Sequence, residues 1–121
     1  MRLRHIKGAE QLIEESPFVI HSPEENKGRW REVFGNDHPI EIEVGMGKGK
    51  FIMDLAAAHP DINYLGVERY SSVLLRALQK RSQLELANIF FLCIDAKEMA
   101  DYFAPGEISR IYLNFSDPWP K

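Results

Sequence analysis

The stretch Ile40-Glu41-Ile42-Glu43-Val44-Gly45-Met46-Gly47-Lys48-Gly49-Lys50-Phe51 constrains this chain more than any other. A short β-branched run carries an acid at Glu43 and leads into glycines at the alternate positions 45, 47 and 49. Beyond them Phe51, Ile52, Leu55 and Ala56 fall on one helical face. Strand, tight turn and helix N-terminus in that order predict the nucleotide-binding corner of a doubly wound α/β sheet. Glycine takes positive φ without a Cβ clash and lets a ligand approach the backbone closely. The spacing excludes two phosphate-binding patterns. The third glycine of G-x-G-x-x-G is replaced by Lys50, and a P-loop would need a glycine five places before Gly49 and a hydroxyl residue at Phe51. A carboxylate at the strand end would also repel a pyrophosphate, whereas it favours a cationic ligand.

The remaining chain reads as alternating strand and helix. Ahead of the first strand, Ala9, Leu12 and Ile13 have helical spacing and Pro17 ends that helix. Ser22-Pro23-Glu24-Glu25 has the form of a capping box, with Trp30, Val33 and Phe34 as the buried side of the helix it opens. Gly35 is placed to terminate that helix in the left-handed conformation. The helix after the glycine turn is expected from about Lys48 to Ala58. A second strand covers Asn63 to Val67 and closes at Glu68. A helix from Ser71 to Leu86 follows, with Val73, Leu74, Ala77 and Leu78 inward and Arg76, Lys80 and Arg81 facing solvent. Ile89 to Ile94 is an apolar strand of the kind covered on both faces, ending at Asp95. A short helix over Lys97 to Phe103, a turn at Pro105-Gly106 and a fourth strand from Arg110 to Phe115 complete the pattern. Residues 1–39 form an arm and helix, and 40–121 the α/β unit.

Composition narrows the class. With 121 residues and 45% apolar content the chain holds one domain with a core. A net charge of −3 gives no bulk attraction to nucleic acid, so RNA contact would need a local basic patch, of which Arg2, Arg4, His5 and Lys7 are one candidate. The single cysteine, Cys93, excludes an internal disulfide and reads as a buried thiol. No apolar run approaches the roughly 20 residues needed to span a bilayer, and the basic N-terminus is not followed by a signal-like segment. A cytoplasmic protein, without membrane association and acting as a monomer or homodimer, is expected. No metal site is expected.

Glu43, Glu68, Asp95 and Asp117 each lie at or just beyond the end of an expected parallel strand, where open α/β sheets bind ligands. Taken singly each reads as a helix cap; together they surround one glycine turn. Glu68 follows Gly49 by nineteen residues, near the roughly 20 at which an acid grips a ribose hydroxyl pair.

The form Glu-x-Gly-x-Gly-x-Gly is similar to the first motif of S-adenosylmethionine-dependent methyltransferases. Asn26-Lys27-Gly28-Arg29-Trp30, Glu43 to Gly49, Tyr64-Leu65-Gly66-Val67-Glu68 and, above all, Asn114-Phe115-Ser116-Asp117-Pro118-Trp119-Pro120-Lys121 together resemble the bacterial tRNA (guanine-N7-)-methyltransferase family over essentially the whole chain. The resemblance implies a Rossmann-like class I methyltransferase fold, of which this chain supplies the N-terminal half, four parallel strands with flanking helices. It implies S-adenosyl-L-methionine as cofactor and the guanine at position 46 of tRNA as substrate. Glu43 with Gly45, Gly47 and Gly49 would hold the methionine end. Glu68 would take the ribose hydroxyls, and Asp95 with the backbone of Ala96 the adenine. Asp117 would stand at the reaction centre between cofactor and guanine, as the catalytic residue, and Lys121 would touch the substrate. Trp119 reads as a packing residue.

The chemistry suits those groups. Guanine N7 carries no proton to remove, so positioning and a carboxylate facing the developing purine cation should supply most of the catalysis. The family's chains are longer, so the fourth strand is expected to be an open edge and the 121-residue form to be inactive alone. A methyltransferase with another substrate, a non-catalytic RNA-binding module and, further off, a nicotinamide dehydrogenase are the competing readings.

Overall fold

The computed structural model describes residues 8–113. Four strands, β1 (Ile40–Val44), β2 (Asn63–Val67), β3 (Ile89–Leu92) and β4 (Arg110–Leu113), form one parallel sheet in the order β3-β2-β1-β4. The chain order reverses beside β1, which places the topological switch point between β1 and β4. β2 has the bounds its residue pattern predicts, and β1 runs from Ile40 through Glu43 to Val44. β3 ends at Leu92, two residues early, and Phe115 lies outside the described residues.

The register Ile42↔Leu65, Leu65↔Phe90 and Ile42↔Ile111 puts these side chains on one face of the sheet. There Ile40, Ile42, Leu65, Val67 and Leu92 pack with Trp30. The opposite face carries Tyr64 and Phe91, covered by α3 (Lys50–Ala58) and α4 (Ser71–Arg81) through Ile52, Met53, Ala56, Leu74 and Ala77. Helix α1 (Ala9–Glu15) packs against α4. The outer edge of β3 is closed by the chain itself: Ile20 N–H donates to Phe91 O at 2.9 Å and Phe91 N–H to Phe18 O at 2.8 Å. Closing an edge this way removes a site of unwanted strand pairing.

Several expectations are corrected. Ser22 makes no side-chain cap, and no capping box forms. Pro23–Asn26 is a separate 3₁₀ turn, Gly28 takes φ +79°, and α2 (Trp30–Phe34) starts afresh. The break is stabilised from far along the chain. Glu107 Oε1 accepts from Gly28 N–H and Ala104 N–H, both at 2.9 Å, and its Oε2 accepts from Trp30 N–H at 3.0 Å. Trp30 is fully buried, donates through Nε1 to Tyr102 O at 2.8 Å and stacks on Phe103. Gly35 terminates α2 in the left-handed conformation, as its position predicts.

Helix α3 begins at Lys50, because Gly49 with φ +83° cannot continue a helix backwards. Phe51 and Leu12 are not core residues: Phe51 is 42% exposed, lying edge-on to Tyr112, and Leu12 is 52% exposed. Helix α4 stops at Arg81 rather than Leu86. Arg81 is buried instead of solvated, since its guanidinium donates to Leu84 O at 2.8 Å and to Leu86 O and covers the Phe18 ring. Those carbonyls belong to the turn that replaces the last helical residues. The segment after β3 is a 3₁₀ helix, Ala96–Asp101. Among the described residues no helix is long and apolar enough to cross a membrane.

Candidate functional site

The C-terminal ends of β1, β2 and β3 come together around the glycine turn. Gly45, Gly47 and Gly49 all have positive φ, at 74°, 60° and 83°, which explains three glycines in alternate places. The turn is shaped largely by the end of β2. Val67 O accepts from both Gly45 N–H at 3.0 Å and Met46 N–H at 3.1 Å. Glu68 Oε1 accepts from Gly47 N–H at 3.0 Å, and its Oε2 from Tyr70 N–H at 3.2 Å at the start of α4. Met46 turns its side chain onto the sheet above Gly66, whose missing Cβ makes the space: a Cβ there would collide with Met46 Sδ and come within 3.0 Å of Phe91 Cδ1. Gly49 is hemmed in likewise, with Met53 Cε at 2.7 Å from where its Cβ would stand.

Three of the expected acids lie on this rim. Glu43 is 1% exposed, in register between Gly66 on β2 and Tyr112 on β4. Glu68 is also buried. Asp95 is less enclosed. Its Oδ1 accepts from Lys97 N–H at 3.0 Å, capping the 3₁₀ helix, and its Oδ2 lies 3.5 Å from Arg69 Nη1. Asp95 therefore caps a helix and faces the rim at once. Ala96, the next residue, is exposed. Asp117 and Lys121, with Trp119 and the basic arm at Arg2, Arg4, His5 and Lys7, lie outside the described residues.

Sequence reasoning missed three contributors. Met46 and Gly66 form the seat of the turn, and an isolated glycine inside a strand pattern marks close approach of another group. Arg69, one residue past Glu68, lies over the Tyr70 ring at 4.7 Å and reaches Asp95, linking the ends of β2 and β3. Cys93 borders the same rim. Burial, and secondarily the charge of Glu68, pushes its thiol above the usual range, so it offers no thiolate nucleophile. Among the described residues no group of His, Cys, Asp and Glu is arranged to hold a metal ion.

A cavity of about 250 Å³ lies elsewhere, beside Gly28, Arg31, His38, Pro39 and Ser109 at the start of β1 and β4. It belongs to the rim opposite Glu43, Glu68 and Asp95, at the end of the sheet away from the glycine turn.

Known proteins fit this geometry. A family model described as "Putative methyltransferase" matches residues 37–121. The tRNA (guanine-N(7)-)-methyltransferase of Lachnoclostridium phytofermentans is 59% identical over 121 residues, covering all of this chain and 56% of that protein. The protein of the same name from a Geobacillus species is 58% identical, again over all of this chain and 56% of its own length. The chain thus spans about half the length of these relatives. Among solved structures, an antibiotic-related methyltransferase aligns with a TM-score of 0.60 at 24% identity, over 84% of this chain and 49% of that one. The antibiotic-resistance methyltransferase Kmr aligns with a TM-score of 0.55 at 25% identity, over 70% and 46%. These likenesses are to the α/β methyltransferase fold seen here. The family model spans well over half of the chain, which therefore belongs to the methyltransferase family that it describes.

Proposed function

We propose that this chain is the cofactor-binding part of an enzyme that transfers a methyl group from S-adenosyl-L-methionine to N7 of a guanine in tRNA. The observation that carries the reading is the meeting of Glu43, Glu68 and Asp95 at one rim, around a turn whose three glycines all hold positive φ. Support for the substrate comes from the relatives, which bear that name at 58–59% identity.

The residues suit the cofactor. Carboxylates at the ends of β1 and β2 suit a ligand that carries a cationic amine and hydroxyl donors, and would repel a pyrophosphate. A carboxylate has about four acceptor positions, enough for backbone donors and hydroxyls together. The cofactor, when bound, supplies a methyl group carried on a positive sulfur. Glu43 and the turn 45–49 would hold its methionine end, Glu68 the ribose, and Asp95 with Ala96 the adenine. Asp117 would face the purine as it gains positive charge, and Lys121 would contact the nucleic acid. Catalysis in this arrangement is positioning plus electrostatic complementarity, without a proton abstraction at N7.

Calorimetric titration of S-adenosylhomocysteine tests the reading. Saturable binding is expected, weakened tenfold or more by Glu68→Ala. Heats no larger than dilution would overturn it, and transfer of label from the methyl donor to tRNA by the whole protein tests the substrate.

A further inference from the structure

Glu68 makes contacts that a ribose-binding role does not require. Its Oε1 accepts from Gly47 N–H at 3.0 Å, and Gly47 is the middle glycine of the turn. Its Oε2 accepts from Tyr70 N–H at 3.2 Å, where α4 begins. Glu68 N–H is itself anchored on β3, donating to Leu92 O at 3.1 Å. The carboxylate is buried and springs from a strand paired on both sides, so it is held firmly. The preceding residue already fastens Gly45 and Met46 through Val67 O.

We propose that Glu68 is also a positioning residue, its carboxylate holding the glycine turn in shape before any ligand arrives. Two parts of the site, one for the ribose and one for the methionine end, then share a single side chain. A charged acceptor makes stronger hydrogen bonds to backbone N–H groups than a neutral one does. Glutamine is a poor substitute, because its one oxygen serves only one of the two N–H groups and its NH₂ opposes the other. The inference rests on the cofactor reading for its functional meaning, but its first test does not.

That test is amide hydrogen exchange of the ligand-free chain, followed by NMR, in wild type, Glu68→Ala and Glu68→Gln. Exchange at Gly47 and Tyr70 should quicken at least tenfold in the alanine variant. At least one of the two should do so in the glutamine variant. Met46 N–H, bonded to Val67 O rather than to Glu68, should hold its rate. Unchanged exchange at Gly47 and Tyr70, or equal acceleration at Met46, would overturn the proposal. The second test compares S-adenosylhomocysteine with 5′-methylthioadenosine, which keeps the ribose and adenine but lacks the amino-acid end. Glu68→Ala should weaken the first at least threefold more than the second, and equal losses would overturn the coupling. If wild type binds neither compound the cofactor reading falls, while the exchange result still judges the clamp.

Discussion

Gly66→Ala is the perturbation that most directly joins the fold to the site. Gly66 sits in β2 with a strand hydrogen-bonded on each side, so its backbone has little freedom to move. A methyl group there meets Met46 Sδ, well inside van der Waals contact, and Phe91 Cδ1 at 3.0 Å. Phe91 is fully buried and has nowhere to retreat, so Met46 must yield. Overpacking of this kind costs about 1–3 kcal/mol. For a chain of this size that is a fall in melting temperature of about 4–12 °C. Met46→Ala alone should cost about 2–3 kcal/mol, the low end for truncating a buried methionine. In the double variant the new methyl occupies space that the lost thioether leaves behind. Its cost should therefore stay near that of Met46→Ala, with a coupling of about 1–2 kcal/mol in the rescuing direction. Urea titrations of the four proteins, followed by far-UV circular dichroism, close the cycle. Additivity within about 0.5 kcal/mol would refute the claim that Gly66 is there to seat Met46.

Asn88→Asp should destabilise the fold by about 3–5 kcal/mol by urea titration, because Asn88 Nδ2 lies 2.9–3.0 Å from the carbonyls of Ala56, His59 and Ile62 and a carboxylate there meets only acceptors. Tyr64 has its phenol pushed up to about 12, first by burial and then by the charge of Glu41. Below pH 10 both folded and unfolded states keep the proton; above it the unfolded state ionises first, so stability should fall as pH rises through about 12, and Tyr64→Phe should flatten that slope in denaturation at stepped alkaline pH. Asp117→Ala, made in the whole protein, should abolish methyl transfer while leaving S-adenosylhomocysteine affinity within a few fold by calorimetry; parallel loss of affinity would make Asp117 a binding group.

Much of this arrangement is legible from residue order, and the exceptions have physical reasons. The bounds of β2 are legible because a short apolar run that starts after Pro60-Asp61 and is closed by Glu68 leaves few alternatives. The glycine turn is legible because its alternate positions all take positive φ, and Glu43, Glu68 and Asp95 reach one rim because the strands that carry them run parallel. Periodicity failed at Phe51 and Leu12 because it identifies an apolar stripe, not whether another element lies against each part of it. It failed at Arg81 because an arginine reads as a surface residue until the carbonyls that receive it are known. The capping box expected at Ser22 does not form, and the helix after it starts at Trp30, whose N–H is held by Glu107, 77 positions away in sequence. Long-range satisfaction of backbone donors leaves no local trace.

β4 differs from its neighbours in burial. Ile111 and Leu113 are 52% and 62% exposed, while Ile42 and Leu65 on the same face are fully buried. The hydrophobic contribution that holds the other three strands is therefore small in β4, which leans on its pairing with β1.

The Glu107 contacts carry a consequence for assembly. Joining Glu107 to Trp30 closes a loop of 77 residues, an entropic cost of about 4 kcal/mol before any constant term. Gly28 N–H is held by the same carboxylate. Residues 28–30 leave the ribosome before Glu107 does, so their backbone donors gain these acceptors only after the intervening chain has been made.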